Sequence, residues 1–369
     1  MSSVFADLTV RDAFVHLTSF LILVLMTLAV HLPATTSAQV GLDTGFGPDL
    51  SLEISPQYPE PGETVVVKAR SILVPLSATP LAWFVDGKLI LEGMGVMEKE
   101  IVAGELGSEA VVRAVATYEG SLHSASITIR PAELDLLWES DSFVPPFFRG
   151  RALPSAGTVV RLEAIPRLQL GNGARVAVKD IVFTWRRNGY VISGTSGRGK
   201  SKVTIASPSL FGTDTVSVEA RSIDGRSAAE ASVRLPSEEP HIALYQNHPL
   251  FGVTFHTAIE PQTFVPETEI TLAAIPYYAD VSSPDEAGLS YEWQVNGQPI
   301  ELDPKRPSSI TINAAGSSGI ALIELALSHV TNFFLNTAGS WRVTLLGDGD
   351  LDSPFSAEGG SSFGGQSGL

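Results

Sequence analysis

A five-residue pattern, Trp-x-x-(Asp/Asn)-Gly, occurs at residues 83–87, 185–189 and 293–297, and it constrains the fold more than any other feature of the chain. Successive copies stand roughly a hundred positions apart, the length of one small domain. A repeat of that period fixes the number of units before anything else is argued, and three are expected. Two positions before each Trp is a large apolar residue, Leu81, Phe183 or Tyr291. A strand of period two places it on the same face of a sheet as the Trp. Asp86-Gly87, Asn188-Gly189 and Asn296-Gly297 are pairs suited to a two-residue hairpin turn, whose central positions take positive φ.

The same parts recur around each Trp. Upstream, residues 64–69, 159–164 and 269–274 alternate as strands and end in Ala69, Ala164 and Ala274. Downstream, a second pair of strands is clearest at residues 216–220 and 231–235, on either side of Asp224-Gly225. A buried Trp on the third strand, short strands about every ten residues and Gly/Pro/Asn turns describe an immunoglobulin-like sandwich. Each unit resembles bacterial Ig-like domains, including those of the polycystic-kidney-disease type. The resemblance covers residues 49–347 and implies a tandem array from a secreted or cell-surface protein. The chain has no Cys, so the inter-sheet disulfide of antibody-type domains is impossible. Small residues are expected where its sulfurs would meet: Ala69 with Ala116, Ala164 with Ala220, and Ala274 with Ala326. Trp83, Trp185 and Trp293 are then structural core residues with no further role required.

The fold class expected is all-β: three tandem immunoglobulin-like β-sandwiches after an N-terminal signal peptide or anchor helix. The uncharged run at residues 20–30 and the small residues at 34–38 have the layout of a secretory signal cleaved after Ala38. Two alternatives are a retained anchor, since residues 14–30 reach the lower limit for spanning a bilayer, and a buried helix. Cleavage and anchoring both place the remainder outside the cytoplasm, secreted or at the cell surface. The divisions expected are 1–38 signal or anchor, 39–48 linker, 49–131 first domain, 132–236 second, 237–347 third, and 348–369 a disordered Gly/Ser/Asp tail. Pro236 and Pro240 bound a short, stiff hinge.

Several short patterns imitate chemical sites. Residues 194–201 fit G-x-x-x-x-G-K-S, but a phosphate loop must open a helix, and residues 202–206 alternate as a strand. Residues 360–364 fit G-x-S-x-G without the strand-to-helix elbow or a following His. Asp348, Asp350 and Asp352 begin like a calcium loop, yet Ser353 and Gly359 stand where it needs Gly and Glu. No catalytic, cofactor or metal site is therefore assigned, no cofactor is expected, and the chain is read as non-enzymatic.

Charge is more informative. The net charge is −16, yet residues 132–236 hold 14 Lys and Arg against 10 Asp and Glu, while 237–347 hold 3 against 12. A basic unit between acidic ones attracts an anionic partner, its own neighbours, or another copy of the chain. Phe147, Phe148, Arg149 and Arg151, in a stretch rich in Phe and Pro, join Arg186, Arg187, Arg198 and Lys200 as candidate partner contacts. The alternative for that stretch is that it covers a sandwich edge or packs on the first domain. The function expected is a surface structural or adhesive protein whose Ig-like domains mediate protein–protein contacts, self-association included. The alternative is an anionic envelope polysaccharide held by the basic middle domain. Nucleic acid is not expected, and the membrane enters only through the N-terminal segment.

Overall fold

A computed structural model describes residues 49–170, 172–265, 269–313 and 319–345. The expected signal or anchor, linker and acidic tail lie outside the described residues, as do the calcium-like and G-x-S-x-G patterns. All described residues but Asp49 belong to one unit, Leu50–Leu369. They form strands with only single turns of 3-10 helix, and among them no helix is long and apolar enough to cross a membrane.

In the first sandwich, β1 (Ser51–Ser55), β2 (Thr64–Arg70), β3 (Pro80–Val85), β4 (Lys88–Met94), β5 (Glu98–Val102), β6 (Ala110–Tyr118) and β7 (Ser121–Ile129) form two sheets. Their orders are β1-β2-β5 and β4-β3-β6-β7. The second contains β8 (Glu133–Ser140), β9 (Val159–Arg167), β10 (Ile181–Arg187), β11 (Tyr190–Val191), β12 (Gly197–Arg198), β13 (Lys202–Ala206), β14 (Thr213–Ser222) and β15 (Ala228–Pro236). Here the orders are β13-β9-β8 and β11-β10-β14-β15, with β12 also on β10. The third contains β16 (His241–His248), β17 (Gly252–Ala258), β18 (Gln262–Val265), β19 (Glu269–Tyr277), β20 (Leu289–Val295), β21 (Gln298–Pro299), β22 (Ser309–Asn313), β23 (Gly319–His329) and β24 (Asn336–Leu345). Its sheets are β17-β16-β19-β22 and β18-β24-β23-β20-β21, with β18 parallel to β24. Each pair of sheets encloses its own core, and among the described residues the three cores run from Leu50 to Val343.

The repeated pattern has the same mechanical job three times. Trp83, Trp185 and Trp293 are buried, and each indole N–H donates to a backbone carbonyl just before a strand of the facing sheet, β5, β13 or β22. The acceptors are Val96 at 2.7 Å, Lys200 at 2.9 Å and Pro307 at 3.0 Å. A buried indole requires such a partner. Asp86, Asn188 and Asn296 take φ near +50°, each followed by a Gly at positive φ. Their side-chain oxygens accept the backbone N–H of Val111, Thr215 and Leu322, each at 2.8 Å. Their own N–H groups donate to those residues' carbonyls. Each turn thereby clamps the neighbouring strand, which is a second reason for Asp or Asn there.

One expectation is corrected. Ala116 and Ala220 lie opposite Leu81 and Phe183, but the residue opposite Tyr291 is Leu327. Leu325 and Leu327 are buried and Ala326 is exposed. A shift of one residue exchanges the faces of a strand, so Ala326 does not face Ala274, and the third core holds a Leu where the others hold Ala. The phosphate-loop imitation also resolves, since β12 and β13 are strands and the Lys200 ammonium donates to the Gly194 carbonyl at 2.9 Å.

The first and second sandwiches meet at Tyr58, whose hydroxyl accepts from the Arg221 guanidinium at 3.2 Å, while Arg221 also holds Glu219 at 2.6 Å. Burial works to raise the Glu219 carboxyl, but Arg221, aided by Tyr58 and Arg186, outweighs it and holds the carboxyl below its usual range. A carboxyl lowered in the folded state contributes stability that is present above its unfolded value, about 4.3, and is lost as pH falls through the folded value. Hydrogen exchange around residues 55–60 is therefore expected to quicken as pH is lowered through that range, after correction for intrinsic rates. Glu219→Gln should remove this acid dependence.

Candidate partner-contact site

In a sandwich the outer face of a sheet normally meets water and is polar. The β17-β16-β19-β22 sheet departs from this. β19 is buried on both faces over most of its length. On its outer side, Tyr245, Ile275 and Tyr277 form a second apolar cluster with Val253 and Phe255 packed against it. The cover comes from the loop between β8 and β9 of the second sandwich, whose Phe143 and Phe148 also belong to this cluster.

Backbone hydrogen bonds hold that loop in place. The Phe143 N–H donates to the Ala279 carbonyl at 2.8 Å, and the Tyr278 N–H donates back to the Phe143 carbonyl at 2.7 Å. The Ser155 hydroxyl donates to the Tyr278 carbonyl at 2.5 Å, and the Asn332 amide to Ala156 at 3.1 Å. The hinge is tied down as well, with the Glu238 N–H on the Pro154 carbonyl at 2.7 Å. The stretch at residues 143–151 thus packs on the third sandwich and not on the first. Apolar alternation at 143–151 could not reveal which neighbour it would meet.

Residues 145–149 and β17 enclose an open groove of about 710 Å³, lined mainly by Phe147, Phe148, Phe251, Phe255, Tyr277 and Arg149. Phe148 sits edge-on to Tyr277 with ring centres 5.7 Å apart, and His241 stacks on Tyr277 at 5.1 Å. The Tyr245 and Tyr277 hydroxyls are 2.6 Å apart. Burial, and then the bond from Tyr245, pushes the Tyr277 phenol well above its usual range; burial followed by Glu238 raises that of Tyr278. Both rings therefore stay neutral across the physiological range.

Phe147 is the unusual member. The Phe148 N–H closes a tight turn on the Pro145 carbonyl at 3.2 Å, with Pro146 second and Phe147 third at φ +61°. That third position favours Gly. An L-residue in left-handed backbone costs roughly 1–2 kcal/mol, and here the ring is also 96% exposed. Phe251, at the β16–β17 turn, is 80% exposed. Two Phe rings that line one groove and are shown to water satisfy no folding requirement.

Three of the eight candidate contacts, Phe147, Phe148 and Arg149, come together here. The others do not join them. The Arg151 guanidinium lies 4.3 Å over the Trp138 ring. Arg186 is 3.5 Å from Glu219, and Arg187 pairs with the largely buried Asp214. Arg198 donates to Asp180 at 2.7 Å. Arg186 and Arg187 stand at one end of β10, whereas Arg198 pairs with Val182 near the other. Eight of the fourteen Lys and Arg of the second domain are thus ion-paired within it, and Arg149 has no ion-pair partner among the described residues. Sequence reading missed Phe251, Phe255 and Tyr277; the apolar pair Leu250-Phe251 in a Pro/Gly turn was the available signal. Among the described residues no group of three or more His, Asp or Glu is placed to hold a metal ion.

The strand orders define the class: an all-β array of tandem immunoglobulin-like sandwiches. No protein-family model and no curated protein sequence matches the chain. Among solved structures it is similar to the central fibronectin-III array of RIM-binding protein, at 13% identity over 80% of this chain and 95% of that one, with a TM-score of 0.27. It is also similar to the three N-terminal domains of the bacteriophage RB49 Highly Immunogenic Outer Capsid protein, at 14% identity over 80% and 98%, with a TM-score of 0.23. A third is the fibronectin(III)-like modules of Clostridium thermocellum CbhA, at 13% identity over 51% and 94%, with a TM-score of 0.24.

Proposed function

We propose that this chain is an exported, non-catalytic structural or adhesive protein of the cell surface, and that its Ig-like domains make protein–protein contacts through the groove beside β17. The observation that carries this reading is the pair of exposed rings, Phe147 and Phe251, with the unpaired Arg149 in the same groove. Phe, Tyr and Arg in a desolvated pocket are the composition of interface hot spots, whose truncation costs about 2 kcal/mol or more of binding. A second reading, a carboxylate-bearing envelope polysaccharide, is favoured by the same Arg149 among stacking rings. It does not draw on the ion-paired arginines of β10.

Phe147→Gly separates folding from contact, since Gly relieves the left-handed backbone while removing the ring. Residues 49–369 carrying it should be at least as stable as the parent and should co-sediment with isolated envelopes at least about 10-fold more weakly. Binding that disappears when the envelopes are treated with protease supports a protein partner. Binding that survives protease and fails in salt supports the polysaccharide, and binding unaffected by Phe147→Gly removes the groove from the account.

A further inference from the structure

The groove takes its lining from two sandwiches: residues 145–149 from the second, and Phe251, residues 253–256 and Tyr277 from the third. The third sandwich contributes an irregular strand. Tyr245 pairs with Ala258 and Asn247 with Val253, so residues 254–257 of β17 stand opposite Gln246 alone. A bulge of this kind interrupts the ladder and re-aims the side chains of the strand that carries it. Here the Thr254 hydroxyl takes the Gln246 carbonyl at 3.0 Å, and Phe255 turns edge-on to Tyr245 with ring centres 5.6 Å apart. β17 ends its sheet, so no further strand lies beyond the bulge. The main chain of residues 254–257 is therefore outside any strand ladder, and Thr254, Phe255 and His256 line the groove. Main-chain N–H and C=O groups need partners, which water or a bound segment supplies.

The loop of the second sandwich is held firmly. A Cβ added at Gly150 would stand 2.6 Å from the Phe148 ring, so that ring is folded back on its own loop while it meets Tyr277 and Tyr278 at 5.7 and 6.4 Å. Charge in the groove has one sign. Arg149 is the only Lys or Arg among the lining residues, and no Asp or Glu is among them. On a chain of net charge −16 this is a local site for an anion that the surface as a whole disfavours.

We infer that the partner presents a short acidic peptide segment to this groove, an aromatic side chain beside an Asp or Glu. This rests on the groove being the contact site and names what it accepts. The carboxylate meets Arg149, the ring lies among Phe147, Phe148 and Phe251, and the main chain of the segment bonds the bulge. A volume of about 710 Å³ falls in the range of small-ligand sites, roughly 300–1,000 Å³, and suits a few residues more than a folded surface. The bulge supplies main-chain groups, which match the main chain of an extended segment. A uronate polymer also satisfies Arg149, but every residue of it carries hydroxyls into a lining of Phe, Pro and Val.

The test uses the full chain immobilised on a sensor surface and a blocked octapeptide, acetyl-Gly-Ser-Gly-Phe-Asp-Gly-Ser-Gly-amide, with a second peptide in which Asn replaces the Asp. The Asp peptide should bind at least about 10-fold more tightly than the Asn peptide, although the net charge of the chain opposes it. Arg149→Gln should abolish that difference; Arg149 is exposed and makes no ion pair among the described residues, so this variant should fold like the parent. Phe147→Gly should weaken both peptides about 10-fold. Hydrogen exchange of residues 254–257 should slow when the Asp peptide is bound. Equal binding of the two peptides, an Asp preference that survives Arg149→Gln, or oligogalacturonate bound more tightly than the Asp peptide overturns the inference. If neither peptide binds while Phe147→Gly still weakens envelope binding, the inference falls and the groove remains the contact site. If Phe147→Gly leaves envelope binding unchanged, the contact reading falls too.

Discussion

Trp185→Ala is expected to destabilise the second sandwich by about 3–5 kcal/mol, the range for removing a large aromatic from a core. The indole is completely buried beside Phe183, in a strand whose neighbour presents Val218 and Ala220. Little can move in to fill the space, because the surrounding side chains are held by two sheets. The substitution also removes the donor to the Lys200 carbonyl, which adds to the loss wherever water cannot replace it. A domain of this size has only about 5–15 kcal/mol in total. Hydrogen exchange read strand by strand is the appropriate measurement, since a chain with three cores need not unfold in one transition. The amides of β10 and β14 should lose protection by roughly the full amount, while those of β20 and β23 should change little.

Leu327→Ala in the third sandwich should cost about 2–5 kcal/mol, and Ala326→Leu, one residue away, should cost less than about 0.5 kcal/mol. Leu327 lies between the sheets opposite Tyr291, and Ala326 points to solvent opposite Glu292. Any register that faced Ala326 inward would reverse the two outcomes. Chemical denaturation of both variants, followed by hydrogen exchange in β23, decides between them. The analogous positions in the other sandwiches, Ala116 and Ala220, are buried, so enlarging either should overpack its core by about 1–3 kcal/mol.

These outcomes show what was legible. The Trp strand and its turn could be read three times because both are local. A Gly after Asp or Asn specifies the backbone, and an apolar residue two positions before the Trp specifies the face. The clamp that the Asp or Asn side chain makes to the adjacent strand was not legible, as it depends on pairing between residues some 25 positions apart. The error at Ala326 has the same origin. Residues 320–327, Ile-Ala-Leu-Ile-Glu-Leu-Ala-Leu, are apolar on both faces, and only pairing with β20 and β24 settles which set is inside.

The candidate site divides likewise. A Phe-rich, Pro-rich stretch with nearby arginines was visible, and so was the basic excess of residues 132–236. The sequence could not show that Arg186, Arg187 and Arg198 would find carboxylates within their own domain. It could not show that Phe147 would stand in a left-handed turn and line one groove with Phe251, more than a hundred residues away. By itself, then, the sequence determined the all-β class, the repeated Trp core and the hairpin turns, because period, volume and backbone freedom are properties of neighbouring residues. Tertiary structure alone decided the register of β23, the cover over the third sandwich and the place of the unpaired Arg149 in the groove. Each of these depends on which distant surfaces meet, and on which charges are neutralised when they do.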